Sequence, residues 1–324
     1  MAEKPSYRYE GRARVLLNLH PDGPGGPHDD NVARMLGFRR ALVPGEAVAE
    51  AVMPAIVARF GTRFMDGGWL SVKNIAATYV DEELHEIGES TQGSPDVLDL
   101  RLETEEGRLT CIGQAGLGGI ESGTPWRAEE DGSHGADIAH PNLILGTTNP
   151  DLWFIHDKAE VAVIRDAAGH ETPWFRGRSP WGGPVSPPLL LTATALHLGR
   201  ELPEGTATAD NPATLSELFA SFQAKNAVEE ARRLLGLTED GANFSKTDSG
   251  KGLAGVQYQH DIIVERPLFQ ETPYLMTSRL VDKGVARSGR SWFSTTQYEV
   301  HDNGGILYAT GRATSRTLLV QRRE

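Results

Sequence analysis

The stretch GPHDDNVARMLGFRRALVPGEAVAEAV, from Gly26 to Val52, sets side chains able to move protons just ahead of a segment that reads as a helix. His28 carries an imidazole, the side chain whose ordinary pKa lies nearest neutrality. Asp29 and Asp30 follow it, and Asp22 precedes it in a Pro-Asp-Gly turn. Pro44 and Gly45 then open an alanine-rich run. The first N–H groups of a helix lack intrahelical acceptors and favour negative charge. A glycine at that point lets an oxygen come close. Proton transfer beside a backbone donor is the chemistry these residue types offer. Plain connection is the alternative. Asp29 and Asp30 are natural caps for a short helix over 30–36, and Asp22 is at home in a turn. Neighbours in an extended segment point to opposite sides, so His28, Asp29 and Asp30 make a poor metal site.

The elements that would position these groups follow from periodicity. Residues 46–60, EAVAEAVMPAIVARF, are apolar on most faces, which suits a helix enclosed by a sheet and kinked at Pro54. Residues 188–198 are apolar in the same way, and 214–235 look amphipathic. Period-2 alternation predicts strands over 7–19, 69–80, 96–117, 255–265, 274–287, 290–302 and 305–320. Glycine, proline and serine break the pattern between about 118 and 150, and again over 202–213 and 237–252. The order loop, buried helix, long strands occurs twice. FRRALVPGEAVAEAVMPAI (38–56) lines up weakly with WGGPVSPPLLLTATALHL (181–198). Two such units side by side could join their sheets and cover an edge.

Bulk properties remove several classes. The chain has 324 residues and a formal charge of −12, an average that repels nucleic acid and anionic membranes. No run approaches the roughly 18 apolar residues of a membrane helix, and MAEKPSYRYEGRARV has no apolar signal core. Cys111 is the only cysteine, so an internal disulfide and a cysteine-based zinc site are excluded. Cytoplasmic residence is the expectation. There is no G-x-S-x-G elbow and no phosphate loop of the G-x-x-x-x-G-K kind. GLGGIESG (116–123) lacks the surrounding βαβ unit of a dinucleotide site.

HDDNVARMLGFRRALVPG, then an alanine-rich helix, then GWLSVKNIAATYVDEEL, resembles the MaoC-like hotdog proteins. These include (R)-specific enoyl-CoA hydratases and 3-hydroxyacyl-thioester dehydratases. The resemblance covers residues 20–85 and continues more faintly over 172–320, where PVSPPLLLT looks like the start of a second central helix. It implies an α+β double hotdog, each half an antiparallel sheet wrapped around a buried helix. The implied layout is an active first half over 1–125, a linker over 126–150 and a second half over 151–324 acting as scaffold and pocket wall.

In that family an Asp and a His separated by four residues add or remove water across an acyl-thioester double bond. The glycine starting the helix polarises the thioester carbonyl. His28 stands in the histidine's place and Gly45 in the glycine's, but the aspartate's position holds Gly23, with Asp22 one residue off register. Asp22 or Asp30 would assist His28. Acid–base help of this kind is worth roughly 10²–10⁴-fold, and one oxyanion donor about 3–4 kcal/mol. In the second half Pro188 matches Gly45 and has no N–H, and no histidine stands at the matching spacing; His170 lies further back.

No cofactor is implied. The substrate would bring coenzyme A or a phosphopantetheine arm, free or on an acyl carrier protein. Arg39 and Arg40, with Pro44, and Arg176 and Arg178 flank the two helix mouths, where arginine forks suit phosphate. Solvated surface charge is the alternative for them. Another thioester or polyketide-tailoring chemistry, or a non-catalytic acyl-binding or partner subunit, would use the same scaffold, and exposed sheet edges fit a homodimer.

Overall fold

A computed structural model describes residues 7–18, 27–35, 37–91, 94–118, 143–196, 207–222, 251–286 and 291–321. Asp22 and Gly23, most of the 126–150 linker and residues 223–250 lie outside them. Along the first part of the chain run β1 (Arg8–Glu10), β2 (Arg14–Val15), α1 (Asp30–Met35), α2 (Gly45–Glu50), α3 (Met53–Phe60), β3 (Gly68–Asn74), β4 (Glu83–Thr91), β5 (Ser94–Thr104) and β6 (Leu109–Leu117). The remainder gives β7 (Leu152–Phe154), α4 (Lys158–Ala167), α5 (Leu190–Leu196), α6 (Leu215–Phe222), β8 (Lys251–Val264), β9 (Tyr274–Val285), β10 (Ser291–His301) and β11 (Leu307–Gln321).

The described strands form one sheet in the order β1-β4-β5-β6-β3-β8-β11-β10-β9-β7, with β2 also on β4. Read outward from the β3–β8 seam, the two sides have the same plan. An edge strand comes first in the chain, a buried helix follows, and four long strands close the unit. This is a double hotdog, as the resemblance implied. At the seam β3 and β8 pair antiparallel from Gly68 opposite Val264 to Lys73 opposite Gln259.

The central helices lie against the concave face of this sheet. Ala47, Val48, Ala49, Met53, Ala55 and Ile56 are all buried in one core with Leu70, Val72, Leu98, Leu100, Leu189 and Ile262. Alanine along α2 lets helix and strands approach closely, and the methyl groups leave no void. The helix expected over 46–60 is two helices. Ala51 and Val52 form the break, and Pro54 sits in the first turn of α3, where its missing N–H costs nothing.

Other departures have local causes. The strand expected over 7–19 is two short pieces. Strand β4 departs from simple alternation because the face that carries Leu84 also carries Glu86 and Ser90, while Ile87 is buried on the other face. Helix α4 was also unanticipated. Asp157 caps it through Ala159 N–H and Glu160 N–H, and its buried stripe is only Val161, Ile164 and Ala167. The β8, β9, β10 and β11 strands agree with the alternation to within a few residues.

Candidate active site

The start of the first central helix is tightly packed. Leu42 N–H donates to the Pro27 carbonyl at 2.9 Å, so the His28 segment runs beside Leu42. The His28 ring turns inward and places Nδ1 2.9 Å from the Leu42 carbonyl. That contact makes Nδ1 the protonated nitrogen, and burial lowers the ring's pKa, so the imidazole is neutral with its lone pair on Nε2. Three extended residues span at most about 10 Å, so His28 lies near Gly45.

Gly45 itself has little room. A Cβ on it would lie 2.7 Å from Gln257 Cβ and 2.9 Å from Asn74 Nδ2. Asn74 Nδ2 donates to the Gly45 carbonyl at 3.1 Å and to the Gln257 carbonyl at 3.2 Å. The carboxyl of Glu46, next in the helix, is enclosed, and burial raises its pKa to about 7 against the opposing pull of the Gln257 side chain. A side chain from each half therefore packs against the Cα of Gly45, which is itself only partly buried.

The other first-half candidates are engaged elsewhere. Asp30 accepts from Ala41 N–H at 2.8 Å and pairs with Arg34 at 3.2 Å, a bracing role at an exposed site. Asp29 accepts from Asn31 N–H at 2.9 Å. Pro44 is buried as the residue preceding α2. Arg39 lies over the Tyr79 ring and pairs with Glu82 at 2.8 Å, and Arg40 pairs with Asp81 at 3.0 Å.

The second helix start holds a pair that local spacing does not reveal. Glu50, the last residue of α2, points out of the first half toward Leu189, just ahead of α5. His170 reaches the same point from the turn after α4, with Nε2 3.3 Å from Glu50 Oε1. Both side chains are at most 1% exposed. Neither the Glu50 oxygens nor His170 Nε2 makes a well-aligned hydrogen bond within the described residues, so the contact is one of proximity. Thr172 N–H donates to His170 Nδ1 at 3.3 Å, which leaves the proton of the neutral ring on Nε2, facing Glu50.

The environment drives the two groups apart. Burial lifts the Glu50 carboxyl well above the usual carboxylate range, and the Leu189 N–H opposes this. Burial, then the positive charges of Arg14, Arg165 and Arg176, push the His170 imidazole down to about 3. Burial alone moves a carboxyl up and an imidazole down, so it is the 3.3 Å approach of the two groups that makes this pair a candidate acid–base centre. Phe175 covers His170 edge-on, ring centroids 4.8 Å apart. Beside it Glu171, Pro173, Arg176 and Arg178 line an open depression of about 470 Å³.

A third buried carboxyl sits at the seam. Asp261 accepts from Ser71 Oγ at 2.6 Å and from the Gln259 amide at 2.9 Å, and burial raises its pKa to about 6. Its folded pKa is above the ordinary value of 3.8, so the folded state holds the extra proton between the two values. The Asp261 contribution to stability therefore falls as pH rises from about 4 to about 6. Buried His156 and His260, with lowered values, act in the opposite direction over much of that range. The informative quantity is a difference. Asp261→Asn is expected to gain on the parent by on the order of 1–3 kcal/mol between pH 4 and pH 7, read from urea midpoints. A constant difference across that range would show that Asp261 does not titrate as its burial dictates.

Among the described residues no group of three or more His, Cys, Asp or Glu could hold a metal ion, and no helix is long and apolar enough to cross a membrane. No family model and no curated sequence matches the chain. Solved structures do. A putative MaoC domain protein dehydratase from Chloroflexus aurantiacus J-10-fl is 10% identical, with TM-score 0.56 over 99% of this chain and 97% of its own. A conserved hypothetical protein from Mycobacterium tuberculosis, described as having a double hotdog fold, is 10% identical, with TM-score 0.54 over 98% of this chain and 97% of its own. At these identities the likeness is one of fold.

Proposed function

We propose that the chain is an acyl-thioester hydratase or dehydratase whose reacting groups are Glu50 and His170. The observation that carries this is the 3.3 Å approach of a buried carboxyl and a buried imidazole from opposite halves, beside the start of a central helix. The MaoC-like pattern over residues 20–85 and the fold shared with a protein named a MaoC domain dehydratase support the same reaction class.

The arrangement suits a single mobile proton. In dehydration the Glu50 carboxylate takes the proton from the carbon next to the thioester carbonyl. His170 Nε2–H holds the oxygen of the departing hydroxyl. Glu50 then delivers the proton to that oxygen, water leaves, and the double bond forms. Hydration runs the same steps in reverse. A carboxyl with a raised pKa is a better base than an ordinary one once ionised, and an effective acid when protonated. Access to the pair requires the Pro173–Arg176 turn, whose Phe175 carbonyl accepts from Gln270 Nε2 at 3.2 Å, to give way. Arg176, whose approach to Asp166 is a loose 4.0 Å, and Arg178 on that turn's rim would meet the phosphates of a coenzyme A or phosphopantetheine arm. Arg39 and Arg40 already have carboxylate partners.

Close packing of Gln257 and Asn74 against the Cα of Gly45 gives that position a structural reason to be glycine. His28 near Gly45 is the second reading, in which the first half holds the chemistry. Crotonyl and longer enoyl thioesters test the proposal through loss of their conjugated absorbance. Turnover is expected, with kcat/KM falling as pH drops through a value well above the ordinary carboxylate range, because the base must be ionised. Absence of both turnover and thioester binding at every chain length would end the enzymatic reading.

A further inference from the structure

Arg14 lies in an ordinary-looking RAR stretch, yet its surroundings in the fold are unusual. As the first residue of β2 it sends its guanidinium to the end of α2, where Nη2 donates to the carbonyl of Ala51, the residue after Glu50. The same guanidinium pairs with Glu86 of β4, whose side chain is wholly enclosed. The stem of Arg14 passes against Gly169. That glycine has φ +63, and a Cβ on it would collide with Arg14 Cδ. The next residue is His170. Backbone contacts follow the same route. Leu17 N–H donates to the Ala167 carbonyl at 2.9 Å, and His170 N–H to the Arg165 carbonyl at 3.0 Å.

One side chain thus touches the helix end that carries Glu50 and the turn that presents His170. We propose that Arg14 is the positioning residue of the Glu50–His170 pair, bracing the end of α2 against the Gly169–His170 turn and so setting the gap between carboxyl and imidazole. The inference rests on the reading of that pair as the reaction centre. Arginine suits the task for physical reasons. The carbonyls at a helix end lack partners and carry partial negative charge. One nitrogen, Nη2, serves both the Ala51 carbonyl and the Glu86 carboxylate, and the rigid guanidinium plane fixes its direction, which a flexible lysine ammonium does not. Glu86 offsets the buried charge. The charged groups facing His170 are Glu50 from α2, Arg14 from β2, Arg165 from α4 and Arg176 from the following turn.

The test compares Arg14→Lys with the double variant Arg14→Met/Glu86→Gln, which leaves no unpaired charge in the interior. Misplacing a reacting group by about 1 Å costs on the order of 10²-fold in rate. Both variants are therefore expected to lose roughly 10- to 100-fold in kcat with KM within about twofold, the lysine variant losing less. The second measurement needs no turnover. Ring resonances of His170 are expected to shift in both variants, while those of His156 and His260, buried away from Arg14, stay in place. An unmoved His170 resonance overturns the proposal, and so does a joint shift of all three rings, which marks a general structural role. If the parent turns over no thioester, the function reading falls and the ring resonances still decide the placement of His170. A fall in KM performance alone, with kcat intact, also overturns it.

Discussion

Glu50→Gln and His170→Ala are each expected to lower kcat/KM on an enoyl thioester by roughly 10²–10⁴-fold, while His28→Ala stays within about threefold of the parent. The two losses should not add. Residues that act as one unit leave little for the second substitution to remove, so the double variant should resemble either single. The folded state should survive Glu50→Gln well. Glutamine keeps the shape and is neutral without binding a proton, the form that burial favours. Thermal unfolding alongside the kinetics separates lost chemistry from lost structure. The reverse ranking, with His28→Ala inactive and His170→Ala active, would return the chemistry to the first helix start. Glu46, enclosed beside Gly45 with a pKa of about 7, would then be the carboxyl to examine.

The second large effect concerns stability. Gly311 on β11 sits directly beneath the Tyr298 ring, and a Cβ there would run into the ring and its hydroxyl. Tyr298 is 1% exposed, and its hydroxyl lies 3.3 Å from Thr192 Oγ1 on α5. Gly311→Val must push that ring out of the core or bend the strand. The expected cost is about 3 kcal/mol or more, the upper end for overpacking. Tyr298→Phe keeps the ring in place and loses one hydrogen bond, a change of about 1 kcal/mol. Chemical denaturation orders the two. Equal stability of Gly311→Val and the parent would mean that α5 is not anchored through Tyr298.

The architecture was legible in the sequence where side chains obey a simple period. The alanine-rich helix after Gly45 and the long alternating strands of the second half were of this kind. The β4 strand was not, because Glu86 and Ser90 point inward, and a polar core position erases the alternation. Glu86 is explained by Arg14 and Tyr9, both distant in sequence. The proposed Glu50–His170 pair was not legible in local spacing. Glu50 read as one more polar position in an alanine helix, and nothing local says that it faces the other half. His170 stands only one residue further from Pro188 than His28 does from Gly45. The partnership of Glu50 with His170 is a product of topology, and spacing along the chain cannot encode it.

The β3–β8 seam has a consequence for biogenesis. While a nascent chain has only its opening portion outside the ribosome, β3 has no β8 beside it, and a row of amide and carbonyl groups stands open. The carboxyl of Glu50 is equally without its imidazole. Such a fragment, released early by a stop codon or a protease, would find its best available neighbour in another fragment of the same kind. Pairing along that open edge would give a two-fold symmetric dimer with the outline of the intact molecule. It would carry Glu50 twice and His170 not at all.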